Sequence, residues 1–198
     1  MGYLRGLSTY LNQNYRRDLF TEFKENNSFL EFHLAGHKKK LAYIAANKRY
    51  DLVLKEVSSK LITIPKVHVK FFYPSELAEK VNPLIKIDEQ VRGRNLQPIF
   101  NPTRRFHIKN KNLYPLMILK TPISITLLEG EVLEGLITEF TMYEIFLELS
   151  PGVEIVVLRH AIFNALDKET NRSLLKKFQD TAKDWKKTPL WVEDGTEE

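Results

Sequence analysis

The chain predicts a mainly β fold with flanking helices, in which one β unit occurs twice. Three observations predict it. Apolar and polar residues alternate through two separate regions, the period of a strand with one buried face. The two regions superpose without a gap at an offset of 93 residues, from residue 30 to residue 69. Apolar residues at helical spacing fall outside those regions, at the two ends of the chain and briefly between the copies.

Residues 8–26 place Tyr10, Leu11, Tyr15, Leu19, Phe20 and Phe23 at helical intervals behind a possible Ser8 or Thr9 cap. The period then changes. Leu30, Phe32 and Leu34 alternate with polar residues, as do Leu52, Leu54, Ile62 and Ile64, which predicts half-buried strands. Between residues 74 and 115 come five prolines and weak periodicity, so 75–112 reads as a basic linker with one short helix near residues 75–81. Strand alternation resumes at Ile123. A second helix is expected from Lys168 to Lys186, with Leu174, Leu175, Phe178, Ala182 and Trp185 on its packed face, and residues 192–198 read as a disordered acidic tail. The expected division is therefore 1–74 for the first helix and first copy, 75–112 for the linker, 113–166 for the second copy, and 167–198 for the terminal helix and tail.

The repeat is carried by residue type more than by identity. Leu30, Phe32 and Leu34 fall on Ile123, Ile125 and Leu127, and Ile44 falls on Ile137. The block from Tyr50 through Leu54 falls on Tyr143 through Leu147, an aromatic, an acid and an aliphatic run in each case. The Ile62–Lys66 segment falls on Ile155–Arg159, and Val69 on Ile162. Any two β segments share some alternation, but a gap-free match with a shared Tyr-acid-aliphatic block reads as internal duplication.

Charge divides along the same lines. Residues 28–72 carry nine Lys/Arg against three Asp/Glu, and residues 122–166 carry one Arg against seven Glu. The segment 73–121 holds nine basic and four acidic residues. Such asymmetry fits an anionic partner for the first copy and linker, and equally fits two copies that attract each other. The chain has no cysteine, which excludes disulfides, thiolate-held zinc and thiol catalysis. Without an apolar run of signal-peptide or membrane-spanning length, a cytoplasmic protein with no membrane association is expected.

Two motifs in the second copy resemble the Sm-like family, and in particular the bacterial RNA chaperone Hfq. Pro122–Ile125, Leu127–Gly130 and Leu133–Ile137 are similar to the first Sm motif, with a turn at Gly130 and a strand bend at Gly135. Leu158-Arg159-His160-Ala161-Ile162 is similar to the second motif, Tyr-Lys-His-Ala-Ile in Hfq. The resemblance covers about 45 of the 198 residues, and the first copy inherits it through the repeat. It implies tandem Sm-like domains, each a short helix and a five-stranded bent antiparallel sheet. It also implies edge-to-edge assembly, with three chains supplying six domains in a pseudo-hexameric ring.

By the same resemblance the function is post-transcriptional: binding of single-stranded RNA, U-rich in expectation, and promotion of RNA–RNA pairing. Tyr143 takes the stacking position, Arg159 the cationic one and His160 the histidine. In the first copy Tyr50 and Lys66 match, while Val67 stands at the histidine position with His68 one residue later. Thr126, Val132 and Glu134, and Met117 to Leu119, depart from the positions that give Hfq A-tract binding and an arginine-rich rim, so neither property carries over. Further RNA contacts are expected from Lys38, Lys39 and Lys40 in a turn, from Arg16 and Arg17 on the first helix, and from Arg92, Arg94, Arg104, Arg105, His107 and Lys109 in the linker, where Phe106 interleaves aromatic and basic residues.

Each candidate has a plainer alternative. Tyr143 begins an apolar strand and so is also a candidate core residue. Lys38–Lys40 is also a solvated hairpin tip. The linker arginines have the Glu residues of the second copy as alternative partners. The seven Glu of the second copy favour, as a rival function, an oligomeric protein-interaction scaffold without RNA binding. No phosphate-binding glycine loop, nucleophile motif or metal-ligand spacing occurs among the five histidines, so no catalysis, metal or cofactor is expected.

Overall fold

In the computed structural model, which describes residues 2–175 and 184–193, the repeat in the sequence is a repeat in the backbone. A short strand β1 (Tyr3–Leu4) leads into helices α1 (Leu7–Asn14) and α2 (Leu19–Glu25). The first unit follows as β2 (Leu30–Leu34), β3 (Lys38–Asn47), β4 (Asp51–Glu56), β5 (Leu61–Pro65) and β6 (Val69–Pro74). The connection holds α3 (Ala78–Val81), β7 (Lys86–Ile87), α4 (Glu89–Arg92) and α5 (Asn110–Ile118). The second unit is β8 (Ile123–Leu127), β9 (Glu131–Phe140), β10 (Glu144–Ser150), β11 (Val153–Leu158) and β12 (Ile162–Asp167). Two short strands, β13 (Arg172–Ser173) and β14 (Trp191–Val192), complete it.

The units correspond strand for strand. In each, one 3-10 turn joins the fourth strand to the fifth, at Lys66–His68 and at Arg159–Ala161. Backbone hydrogen bonds outside the ladders repeat as well. The Lys66 N–H donates to the Tyr50 carbonyl at 2.8 Å, and Arg159 to Tyr143 at 2.8 Å. Lys48 donates to Asp51 and Thr141 to Glu144, at 2.9 and 3.0 Å; Ala35 donates to His68 and Leu128 to Ala161, at 2.8 and 2.9 Å. Side chains diverged between the copies while the polar accounting of the backbone, which cannot be left unpaired when buried, stayed the same.

Apart from β1 and β14, which pair with each other, the strands form one antiparallel sheet in the order β13-β12-β8-β9-β10-β11-β6-β2-β3-β4-β5, with β7 added on β9. The units are joined through β11 and β6, where Val156 faces Phe72 and Val157 faces Phe71. Side chains alternate across a strand, so these joint strands feed two cores. Phe71, Tyr73, Ile155 and Val157 enter the larger core, with Leu113, Ile125 and Phe140. Val69, Phe72, Val156 and Leu158 enter the smaller, with Leu19, Phe20 and Phe32. In β9 a Cβ at Gly135 would stand 2.2 Å from the Glu148 carbonyl oxygen, so the position admits only a close backbone approach, while the ladder irregularity falls between Ile137 and Glu139 rather than at the glycine. The β8–β9 turn runs through Gly130 at φ 92°, a conformation that L side chains resist.

Opposite charges meet at this joint. The buried ammonium of Lys70 lies 2.6 Å from Glu129 and also pairs with Glu131. The Gly36 and His37 N–H groups donate to the two oxygens of Glu129 at 2.6 and 3.2 Å, and Arg17 pairs with Glu139. The basic first copy and acidic second copy thus neutralise each other in part within one chain.

Four expectations change. The helix expected over 8–26 is two helices, because Asp18 caps a new start, accepting from the Thr21 hydroxyl at 2.9 Å, and the Tyr15 carbonyl is taken by Met142 N–H at 2.8 Å. The first strand is buried on both faces, since Glu31 and His33 are covered with Tyr73 in a polar cluster. Helix α5 lies across the expected linker boundary at residue 112. The expected terminal helix does not begin at Lys168: the chain turns instead into β13, and Leu175 bridges to Ile108. Residues 176–183 of that helix and residues 194–198 of the expected tail lie outside the described residues. Among the described residues no helix is long and apolar enough to cross a membrane.

Candidate nucleic-acid interface

The second unit presents a cleft of about 750 Å³ at the turn between β9 and β10. Its walls come from α1 (Leu7, Leu11, Tyr15), from Met142 and Tyr143, from the 3-10 turn (Arg159, His160), and from the segment Pro102 to Lys111. Helix α1 is held there by Tyr10, whose hydroxyl donates to the Phe140 carbonyl at 2.8 Å and accepts from the Phe140 N–H at 2.7 Å. One phenol thereby satisfies both backbone groups at the end of a strand.

The lining has one electrostatic character. It includes Arg105, Lys109, Lys111 and Arg159, with His107 and His160, and none of the lining residues is acidic. Tyr15 and Tyr143 supply aromatic surface. Tyr143 is 60% exposed, so of its two alternatives the solvent-facing aromatic is the one the structure adopts. Lys109 is exposed and forms no ion pair among the described residues.

Arg159 and His160 are less free than their side chains suggest. Arg159 lies on the floor of the cleft and donates to the Ile108 carbonyl at 2.6 Å, the Thr141 carbonyl at 2.8 Å and Asn110 Oδ1 at 3.1 Å. These bonds tie the connecting segment to the turn that carries Tyr143. Burial pulls the Arg159 pKa down, but a guanidinium stays charged regardless. His160 donates from Nε2 to the Val69 carbonyl at 2.9 Å, and burial, with Arg105 nearby, pushes it down to about 4. It is neutral at physiological pH, a donor already spent on the joint between units.

Beneath the cleft Glu144 is buried and accepts from the Thr141 hydroxyl. Desolvation raises its pKa to about 7, opposed by that hydrogen bond. The sequence offered no sign of this group beyond its place after Tyr143.

Four of the ten expected site residues meet in the cleft: Tyr143, Arg159, His160 and Arg105. The other six do not. Tyr50 is 68% exposed under the Arg49 guanidinium, 5.1 Å from the ring centroid. Lys66 lies 5.6 Å over the Phe20 ring beside α2, and burial lowers its pKa against the pull of Asp18, Glu144 and Asp51. Lys38, Lys39 and Lys40 start strand β3 rather than forming a turn. Lys39 pairs with Glu31 at 3.2 Å and donates to Asn82 Oδ1 at 2.6 Å, while Lys40 pairs with Glu56 at 2.7 Å. Arg104 is exposed next to the cleft. Of the linker's other expected basic residues, His107 and Lys109 line the cleft as well, while sequence reasoning missed Tyr15 and Lys111, because α1 and the connecting segment reach the site only through the tertiary fold.

A cluster of possible metal ligands, His37, Glu129 and Glu131, is brought together by the fold. Lys70 bridges the same two carboxylates, so the group already has its cation.

Fold and site together define a mainly antiparallel β protein with a cationic, aromatic-walled cleft. Compared with models of known protein families, with curated proteins and with solved structures, the chain gives no match in any of the three.

Proposed function

We propose that the chain is a tandem Sm-like protein that binds single-stranded RNA in the cleft of its second unit and acts in post-transcriptional regulation. The observation that carries this reading is the cleft lining, which sets two tyrosines among four Lys/Arg and no carboxylate in a chain whose second copy is otherwise acidic. Stacking on aromatics gives affinity for any unpaired base, and Lys and Arg supply phosphate contacts. The tandem Sm-like assignment is supported by two five-stranded units, each preceded by a short helix, α2 and α5, and each with a ladder irregularity at the matching place in its second strand, between Ile44 and Ala46 and between Ile137 and Glu139. Promotion of RNA pairing follows from the same resemblance and rests on the same site.

Affinity for oligo-U, oligo-A and a mixed strand at two salt concentrations tests the reading. Binding should fall steeply as salt rises, because phosphate contacts release counterions. Absence of binding at low salt would remove RNA from the account and leave the scaffold.

One observation favours that second reading. Arg159 and His160 spend their donors on Ile108, Thr141, Asn110 and Val69, a structural use that needs no RNA. We also propose assembly into a three-chain ring, which has one half of its joint ready: among the described residues β5 pairs only with β4. The other half, the outer edge of β12, is taken by β13 and by the Leu174 N–H donating to the Ala165 carbonyl at 2.8 Å.

A further inference from the structure

The segment between α4 and α5 has no counterpart in the repeat, and it presents Phe100 with 64% of its surface exposed. The loop around that ring is braced rather than slack. Arg105 donates from Nε to the Ile99 carbonyl at 2.9 Å and from Nη2 to the Phe100 carbonyl at 3.2 Å. Asn101 Oδ1 accepts from the Thr103 N–H at 3.0 Å, and His107 Nε2 donates to the Pro102 carbonyl at 3.0 Å. A single exposed ring is ordinary on a protein surface; what sets Phe100 apart is that its loop is hydrogen-bonded in place by a residue that also lines the cleft.

Arg105 connects this ring to the cleft. The guanidinium that braces the loop also lines the cleft with Tyr143, and its Nη1 makes no hydrogen bond among the described residues. On the far side the Phe100 ring meets His68 edge to face, with centroids 5.8 Å apart. Tyr143, Arg105, Phe100 and His68 therefore form a strip of alternating aromatic and basic character with no acid in it.

We infer that this strip carries a single strand of RNA out of the cleft: Tyr143 stacks a base inside it, Phe100 stacks a later base outside it, and Arg105 Nη1 faces the phosphate between them. The inference rests on the nucleic-acid reading of the cleft and goes beyond it, since it assigns an exit path and a length requirement to the ligand. A platform that accepts any π-face is tolerant of sequence. The strip thus contributes length dependence rather than base choice.

Fluorescence anisotropy with fluorescein-labelled U3 and U9 tests it on the full chain. Phe100→Ala should weaken U9 by about tenfold, the scale of one lost base stack, and leave U3 within about twofold. Phe100→Tyr should restore U9 binding. Because Phe100 is exposed, the thermal midpoint should not move, which separates loss of contact from loss of fold. If Phe100→Ala leaves U9 unchanged while Tyr143→Ala weakens U3, the strip is wrong and the cleft stands. An equal loss on U3 and U9 overturns the assigned order along the strand. If the unmodified chain binds neither oligonucleotide at low salt, cleft and strip fall together.

Discussion

The backbone N–H of Arg159 donates to the carbonyl of Tyr143 at 2.8 Å, so the turn that carries the cation of the site is fastened to the residue that carries its aromatic ring. The same bond joins Lys66 to Tyr50 at the same length in the first unit. There it sits in different surroundings: Lys66 lies over Phe20 with Asp18, Asp51 and Glu144 as its charged neighbours. One backbone frame thus supports a cationic cleft in one copy and a packed, acid-flanked corner in the other.

Arg159→Ala should act on stability before it acts on binding. It removes three hydrogen bonds from a guanidinium and leaves the carbonyls of Ile108 and Thr141 unpaired. A loss of roughly 2–4 kcal/mol is expected, read as a lower urea midpoint at constant slope. A change below about 0.5 kcal/mol would mean that the connecting segment is held by other contacts.

Tyr143→Ala should do the reverse. Its ring is exposed and its structural bonds are made by the backbone, so the urea midpoint should stay within about 0.5 kcal/mol of the parent. RNA affinity should fall about 5–100-fold in a filter-binding or anisotropy titration, as loss of one stacked base predicts. Retained affinity would place the aromatic contact elsewhere, with Tyr15 the other ring in the cleft.

Glu144→Gln should stabilise the chain in a pH-dependent way. The folded pKa of about 7 lies above the ordinary glutamate value of 4.5, so the folded state holds a proton that the unfolded state releases. The stability contributed by that proton is full below 4.5 and is lost as pH rises through 7. Compared by chemical denaturation at pH 5 and pH 8, the advantage of the variant should grow by roughly 1–3 kcal/mol. His33 and His160, both pushed down to about 4 by burial, have the opposite sign and lose stability as pH falls from 6.5 towards 4. They are common to both proteins and cancel in the difference. A constant difference across the range would show that Glu144 ionises as an ordinary carboxylate.

Gly135→Ala should cost roughly 1–3 kcal/mol, because the added methyl has a main-chain oxygen rather than a movable side chain in its way. The corresponding residue of the first unit is already Ala42, fully buried, so the reciprocal change Ala42→Gly should cost less than about 1.5 kcal/mol. Equal effects at the two positions would mean that the two strands approach their neighbours alike, contrary to the contact distance at Gly135.

Sedimentation equilibrium tests the proposed three-chain ring, which requires β13 to give up the edge of β12; a mass of one chain, 23.2 kDa, at all concentrations would overturn it. Three times that mass would show that β13 leaves and that β5 of a neighbour takes its place, with Thr63 and Ile64 standing where Val156 and Val157 stand at the internal joint. Exposed Leu61 and Val57 near the open edge should then become protected from hydrogen exchange.

The sequence by itself determined the period and the duplication. Alternation at Leu30, Phe32, Leu34 and their counterparts at Ile123, Ile125 and Leu127 is a local signal, since one strand face must be apolar wherever the strand is placed. Gly130 marked the turn and Gly135 a close approach of two strands for equally local reasons, a positive φ and the lack of a Cβ. The Tyr143, Arg159 and His160 set was legible because the 3-10 turn and the strand entry lie in one unit. Tertiary structure alone decided what those residues are free to do. Whether Arg159 meets a phosphate or three acceptors depends on where Ile108 and Asn110 pack, and no spacing along the chain encodes that. It also decided that Lys39 and Lys40 are neutralised by Glu31 and Glu56 across the strands, while Lys109 is left to solvent. Charge counted along a chain is not charge presented to a ligand: at these distances a carboxylate a few ångströms away outweighs the net charge of the whole segment.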